Sequence, residues 1–244
     1  MKSNQMAQVG IGKHAAPWAL ALLLIGATGC QTYRQASAPP PPSKAEQTAM
    51  TPEDALRRLQ EGNARFVAGR PLARDWVAQR AATATGQHPF AVILSCLDSR
   101  TSVEQVFDLG IGDAFNARVA GNVLNEDILG SMEFACGVVG AKLIAVVGHS
   151  QCGAIKGACS QIELGNLTGL LRKIEPAVAS VTPAVNRAAP EPAQVEAVAE
   201  ANVRLVMRQI TERSPLLAGL VREGKVAVVG GMHDLATGEV TFFR

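Results

Sequence analysis

The feature that most restricts how this chain can fold is a set of short, almost purely apolar runs. Phe90-Ala91-Val92-Ile93-Leu94, Lys142-Leu143-Ile144-Ala145-Val146-Val147 and Val226-Ala227-Val228-Val229 have strand length and no alternation, the pattern of strands covered on both faces. Such strands need helices on each side, and the stretches between the runs supply them. Thr51-Pro52-Glu53-Asp54 places a capping hydroxyl, a first-turn proline and two acids ahead of Leu56, Leu59, Asn63, Phe66 and Val67 at helical spacing, with Gly69 as a stop. A second helix is expected around residues 76–84, a short strand over 114–117 and a helix over 125–139. Residues 232–243, with Thr237-Gly238 in the middle, read as a hairpin. Strands alternating with helices imply an α/β fold with a mainly parallel central sheet flanked by helices.

The first 50 residues read differently. Ala15 to Gly29 carries no charge, follows Lys13 and His14, and ends in small residues, which is the grammar of a secretory signal peptide. Ala27-Thr28-Gly29-Cys30 resembles the lipobox at which bacterial lipoproteins are cleaved and acylated, with Ala27 where that pattern prefers Leu. Residues 31–50 hold four consecutive prolines and almost no large apolar side chain, so they are expected to be extended. The expected organisation is a signal peptide of lipoprotein type over 1–29, a Pro-rich tether over 30–50 and one domain over 51–244. The chain would then be exported to the periplasm or cell envelope, touching a membrane only through a lipid on Cys30.

Hydrophobic residues make up 48% of the chain and charged residues 18%, enough for a sizeable core. The formal net charge of +2 is carried entirely by Lys2 and Lys13 within the leader, so the rest is neutral. A neutral domain without a Lys/Arg cluster lacks the electrostatic footprint of a nucleic-acid binder.

In an open parallel sheet, ligands bind beyond the carboxyl ends of the strands. Ser95-Cys96-Leu97-Asp98-Ser99-Arg100 follows the first run, and Gly148-His149-Ser150-Gln151-Cys152-Gly153 follows the second. Two thiols and an imidazole from separate strand ends match a catalytic zinc site that keeps its fourth position open. Taken singly, each of these residues has another reading: Cys96 and Cys152 as buried small hydrophobes, His149 as a satisfied loop histidine, or a Cys/His nucleophile pair. Gly110 and Gly112 read as a turn, His88 and His233 as surface histidines, and Cys136 and Cys159 as helical positions with no geometric warrant for a disulfide.

CLDSR followed by GHSQCGAIKGA resembles the β-class carbonic anhydrases of the plant-like branch, whose motifs are C-x-D-x-R and H-x-x-C. The resemblance extends to Leu59-Gln60-Glu61-Gly62-Asn63-Ala64-Arg65-Phe66 and to Arg118-Val119-Ala120-Gly121-Asn122. It implies one Zn2+ per chain on Cys96, His149 and Cys152, and a gating dyad of Asp98 and Arg100. In that family's closed state the aspartate is a possible fourth ligand. It further implies that Gln87 orients the substrate and that Phe115 and Gly153 line its pocket, and it places Phe134 where that branch commonly has tyrosine. The implied reaction is the reversible hydration of carbon dioxide to bicarbonate and a proton, in a homodimer or dimer of dimers whose N-terminal helices extend onto the partner. Two other readings share the metal site. One is the family offshoot that hydrolyses carbon disulfide or carbonyl sulfide; the other is a non-catalytic, zinc-stabilised envelope lipoprotein. Two thiolates already neutralise the formal charge of Zn2+, so its water should be less acidic here than at a site of three histidines.

Overall fold

A computed structural model describes residues 35–244. In chain order its helices are α1 (Lys44–Ala49), α2 (Pro52–Val67), α3 (Trp76–Thr83), α4 (Val103–Val106), α5 (Glu126–Glu133), α6 (Gly153–Cys159), α7 (Gly165–Leu171), α8 (Glu175–Ser180), α9 (Pro192–Arg213) and α10 (Pro215–Arg222). Strands β1 (Ala91–Ser95), β2 (Ala114–Arg118), β3 (Leu143–His149), β4 (Ala227–His233) and β5 (Val240–Phe243) form a single sheet in the order β2-β1-β3-β4-β5. The first four are parallel, and β5 returns antiparallel to β4 through the expected hairpin.

The unbroken apolar runs are explained by what covers each face. Val92, Leu94, Ile144 and Val146 pack with Met132 of α5, Val203, Val206 and Ile210 of α9, and Leu217 of α10. Their neighbours Ala91, Ile93, Leu143, Ala145 and Val147 point the other way, against Ala55 and Leu59 of α2 and Val103, Val106 and Phe107. Because side chains alternate along a strand, covering both faces leaves the middle of β1 and β3 apolar on each side. The register aligns Ser95 with Val147 and His149 with His233, so β1 and β3 end side by side.

α2 begins as its sequence predicts. Thr51 and Asp54 form a capping box, the Thr51 hydroxyl accepting from the Asp54 N–H at 3.1 Å. Leu59 and Asn63 face inward, whereas Phe66 and Val67 stay exposed. Asn63 ties the helix to the hairpin: its amide donates to the carbonyls of Val106 and Gly238 and accepts from the Val240 N–H. The helix expected over 125–139 is α through Glu133 and then widens to π geometry over Phe134–Val139 before Gly140 ends it at φ 100°.

The extended tether over 30–50 is corrected for its described part. Ser37 bridges to Ala73, Pro42 is buried, and Ser43 and Glu46 form a capping box that starts α1. Gln47 is fully buried, and its amide donates to the Pro89 carbonyl at 2.8 Å. Apolar bookkeeping misses this segment because polar side chains dock it. Residues 1–34, and with them the signal peptide and Cys30, lie outside the described residues.

Candidate metal centre

Cys96 stands one residue beyond β1, His149 is the last residue of β3, and Cys152 caps α6. All three are buried, and their ligand atoms lie within 4.8 Å of one another; the two sulfurs are 4.0 Å apart. No other group of three or more His, Cys, Asp or Glu side chains is gathered in this way among the described residues. The sulfurs sit in an apolar cluster with Val123, Ile155 and Ala158, which keeps bulk water at a distance.

The donor chemistry fits zinc. His149 Nδ1 lies 2.8 Å from the Ser150 carbonyl oxygen, which only accepts, so Nδ1 carries the proton and Nε2 is left with its lone pair. Nε2 is buried and has no hydrogen-bond partner. A buried acceptor left unpaired beside two thiols is costly unless a cation takes it. The Cys96 thiol is held well below the ordinary thiol range, first by the hydrogen bond from Cys152 and then, against burial, by His149 and the Asp98 and Gly121 N–H groups. Cys152 is pushed up by that same shared hydrogen bond and by burial. Without metal the pair therefore shares one proton, and two thiolates together require a cation. Burial disfavours the His149 imidazolium, but the adjacent Cys96 outweighs it and raises that group.

Asp98 and Arg100 meet in a two-pronged pair: Arg100 Nε donates to Oδ1 at 2.9 Å and Nη2 to Oδ2 at 2.8 Å, with the Arg100 N–H also on Oδ1. Those hydrogen bonds hold the Asp98 carboxyl far below the usual carboxylate range. Both oxygens are thus engaged by Arg100, and Asp98 stands outside the metal-ligand group. The loop carrying the dyad is pinned by donors to its carbonyls. Arg118 donates to Cys96 O at 3.0 Å and Asp98 O at 2.5 Å, and Thr101 donates to the same two oxygens.

The family model described as carbonic anhydrase matches residues 91–240, which include the whole of this centre. The chain belongs to the carbonic anhydrase family. It is 38% identical over 193 residues to a carbonic anhydrase of Mycolicibacterium smegmatis, covering 78% of this chain and 92% of that one. It shares its fold with a chain from two tetrameric β-carbonic anhydrases of Sordaria macrospora, with a TM-score of 0.59 at 23% identity, over 67% of this chain and 84% of that one. A carbon disulfide hydrolase of Acidithiobacillus thiooxidans is 32% identical over only 77 residues, 29% of this chain and 36% of that protein.

Against this carbonic anhydrase fold, the remaining expected residues divide. Gly153 starts α6 directly after Cys152 and stands at the centre. Gln87 does not: it is exposed in the connection from α3 to β1, at the amino end of a strand whose carboxyl end carries Cys96. A five-residue strand separates the two by roughly 17 Å. Phe115 sits mid-strand on β2 opposite Val92. Its ring lies 6.2 Å from that of Phe134, and both line a hollow along the outer side of β2. His233 is corrected: it is buried at 3% exposure beside His149, and burial, then the nearby His149, lowers its pKa. His88 is half-buried. Cys136 and Cys159 are buried free thiols, Cys136 pushed up to about 12 by burial.

The sequence alone does not mark Arg118 and Thr101 as supports of the loop. Their partners are backbone carbonyls brought near by folding, and no residue pattern in the sequence announces that.

Proposed function

We propose that this chain catalyses the reversible hydration of carbon dioxide to bicarbonate and a proton, with one Zn2+ held by Cys96, His149 and Cys152. The observation that carries this reading is the buried triad with an unpaired His149 Nε2 at the joined ends of β1 and β3. Zinc, when bound, supplies the Lewis acidity that brings a water toward ionisation near neutral pH. The protein's own contribution is to hold an acceptor still. Asp98 Oδ1 takes two donors from Arg100 and Oδ2 takes one, so Oδ2 keeps a lone pair that can receive a proton or a hydrogen bond from the reacting water. Arg118 and Thr101 fix the loop that aims it.

Intact Asp98 and Arg100 count against a purely structural metal, which needs neither. The carbon disulfide and carbonyl sulfide readings use the same ligands and differ in access. Stopped-flow hydration of carbon dioxide by zinc-loaded protein, with carbon disulfide turnover measured beside it, separates them. Hydration without carbon disulfide turnover is expected; carbon disulfide turnover without hydration would overturn the proposal.

A homodimer or dimer of dimers is the assembly that suits this reading. Gln87 and Phe115 lie off the triad within one chain, so the roles implied for them require a second copy. Trp76 and Val77 of α3 are 55% and 66% exposed and offer that copy apolar contact. Export and anchoring through Cys30 rest on the sequence of the leader alone. A Cys30→Ala variant should move from the membrane fraction to the soluble fraction, since stable anchoring needs the acyl chains; equal retention in membranes would refute the anchor.

A further inference from the structure

The metal centre has an outer support that the triad and dyad do not include. The peptide of Gly121 faces Cys96, and its N–H donates to Cys96 Sγ at 3.3 Å. That peptide lies in a tight turn, Ala120–Asn122, in which Gly121 and Asn122 both adopt left-handed backbone, at φ 64° and 43°. Asn pays a cost for this conformation, and a turn with two such residues in succession needs something to hold it. Gly121 itself cannot be replaced freely, because its φ of 64° strains any L side chain, and a Cβ there would also crowd Ala154 Cβ at 3.3 Å.

What holds the turn is Asn202 of α9, 1% exposed among valines of the helix's buried face. Its Nδ2 donates to the Gly121 carbonyl at 2.9 Å, while its Oδ1 has no partner. A carbonyl can only accept, so the amide orientation is fixed by chemistry. An apolar helix face that retains a half-satisfied amide forgoes stability, which calls for a return elsewhere. α9 also packs closely on the metal strand: a Cβ on Gly148, next to His149, would meet Val203 Cγ2 at 2.7 Å.

We propose that Asn202 is a positioning residue of the metal centre, acting through the Gly121 backbone: it anchors the carbonyl on one side of that Cα and so holds the turn that presents the N–H on the other side to Cys96 Sγ. The proposal rests on the reading that Cys96 is a zinc ligand. The hydrogen bond orients the sulfur lone pairs and tempers their donation, the usual task of groups just outside a metal's ligands. Loss of the Asn202 amide frees the turn, and the thiolate loses its fixed donor.

Zinc affinity, measured by competition with a chromophoric chelator on the full-length protein, separates this role from simple packing. Asn202→Asp keeps the volume and removes the donor; Asn202→Ala removes the amide without adding charge and serves if the aspartate variant fails to fold. Val206→Ala hollows the core on the same helix and controls for lost stability. Each Asn202 variant is expected to bind zinc about 10- to 100-fold more weakly, whereas Val206→Ala lowers the melting temperature and leaves the affinity unchanged. Asn202 variants that lose stability yet bind zinc as tightly as the parent would overturn the proposal. A parent protein that binds no zinc would instead defeat the reading of Cys96 as a ligand.

Discussion

Cys96→Ser should yield a folded protein that carries no zinc and hydrates carbon dioxide at the uncatalysed background rate. Serine is close in size, so the pocket survives, but its hydroxyl does not ionise near neutral pH and offers a harder, neutral donor in place of a thiolate. The Cys96 thiol is the one that the fold prepares for ionisation, with Cys152, His149 and the Asp98 and Gly121 N–H groups all favouring its charge. Removing it leaves one thiolate and one imidazole for a dication, and metal affinity falls with the charge lost. Metal content per chain and the stopped-flow rate should fall together. A zinc-free preparation of this variant with the parent's rate would remove Cys96 from the mechanism.

The second large effect separates the dyad from the metal. Asp98→Asn should retain zinc, because the ligand group of Cys96, His149 and Cys152 does not include residue 98, yet lose about 10²- to 10⁴-fold in kcat/KM, the usual worth of a positioned proton acceptor. An amide has no second acceptor oxygen, and it turns an NH2 toward the Arg100 fork. The sign of the pH dependence follows from the shift. Arg100 hydrogen bonds hold the folded-state pKa of Asp98 below its unfolded value. The stability from the pair is therefore complete above the ordinary carboxylate pKa of about 4 and is withdrawn only as pH falls further. Across neutral and alkaline pH the parent keeps Asp98 ionised, and the variant's deficit should stay constant there. A near-parental rate for Asp98→Asn would reduce the pair to a structural ion pair.

How much of this could be read from the chain depends on the kind of interaction. The three apolar runs became β1, β3 and β4 because burial on both faces leaves a direct mark on residue choice. The two ligand loops stood out because chemistry at strand ends demands particular side chains. Polar contacts between distant segments leave no comparable mark. Gln47 docking α1 on Pro89, and Asn202 reaching Gly121 across 81 residues, follow no periodicity. α9 is legible in the same way as α2, with Val195, Val198, Ala199, Val203, Val206 and Ile210 on one face after Glu191-Pro192, though it lies outside the elements that the strand runs lead one to expect. His233 gave no sign of burial, since a histidine beside a hairpin is ordinarily wet; only its register with His149 explains it.

The proposed hydration of carbon dioxide by one zinc on Cys96, His149 and Cys152 makes a stoichiometric demand. Its most direct test is a titration: protein stripped of metal by chelation is given zinc in fractions of an equivalent, and the stopped-flow hydration rate is followed at each addition. The rate should rise in proportion to zinc and level off at one equivalent per chain. A rate that is already full in the stripped protein, or that stays at background after one equivalent is bound, would contradict it.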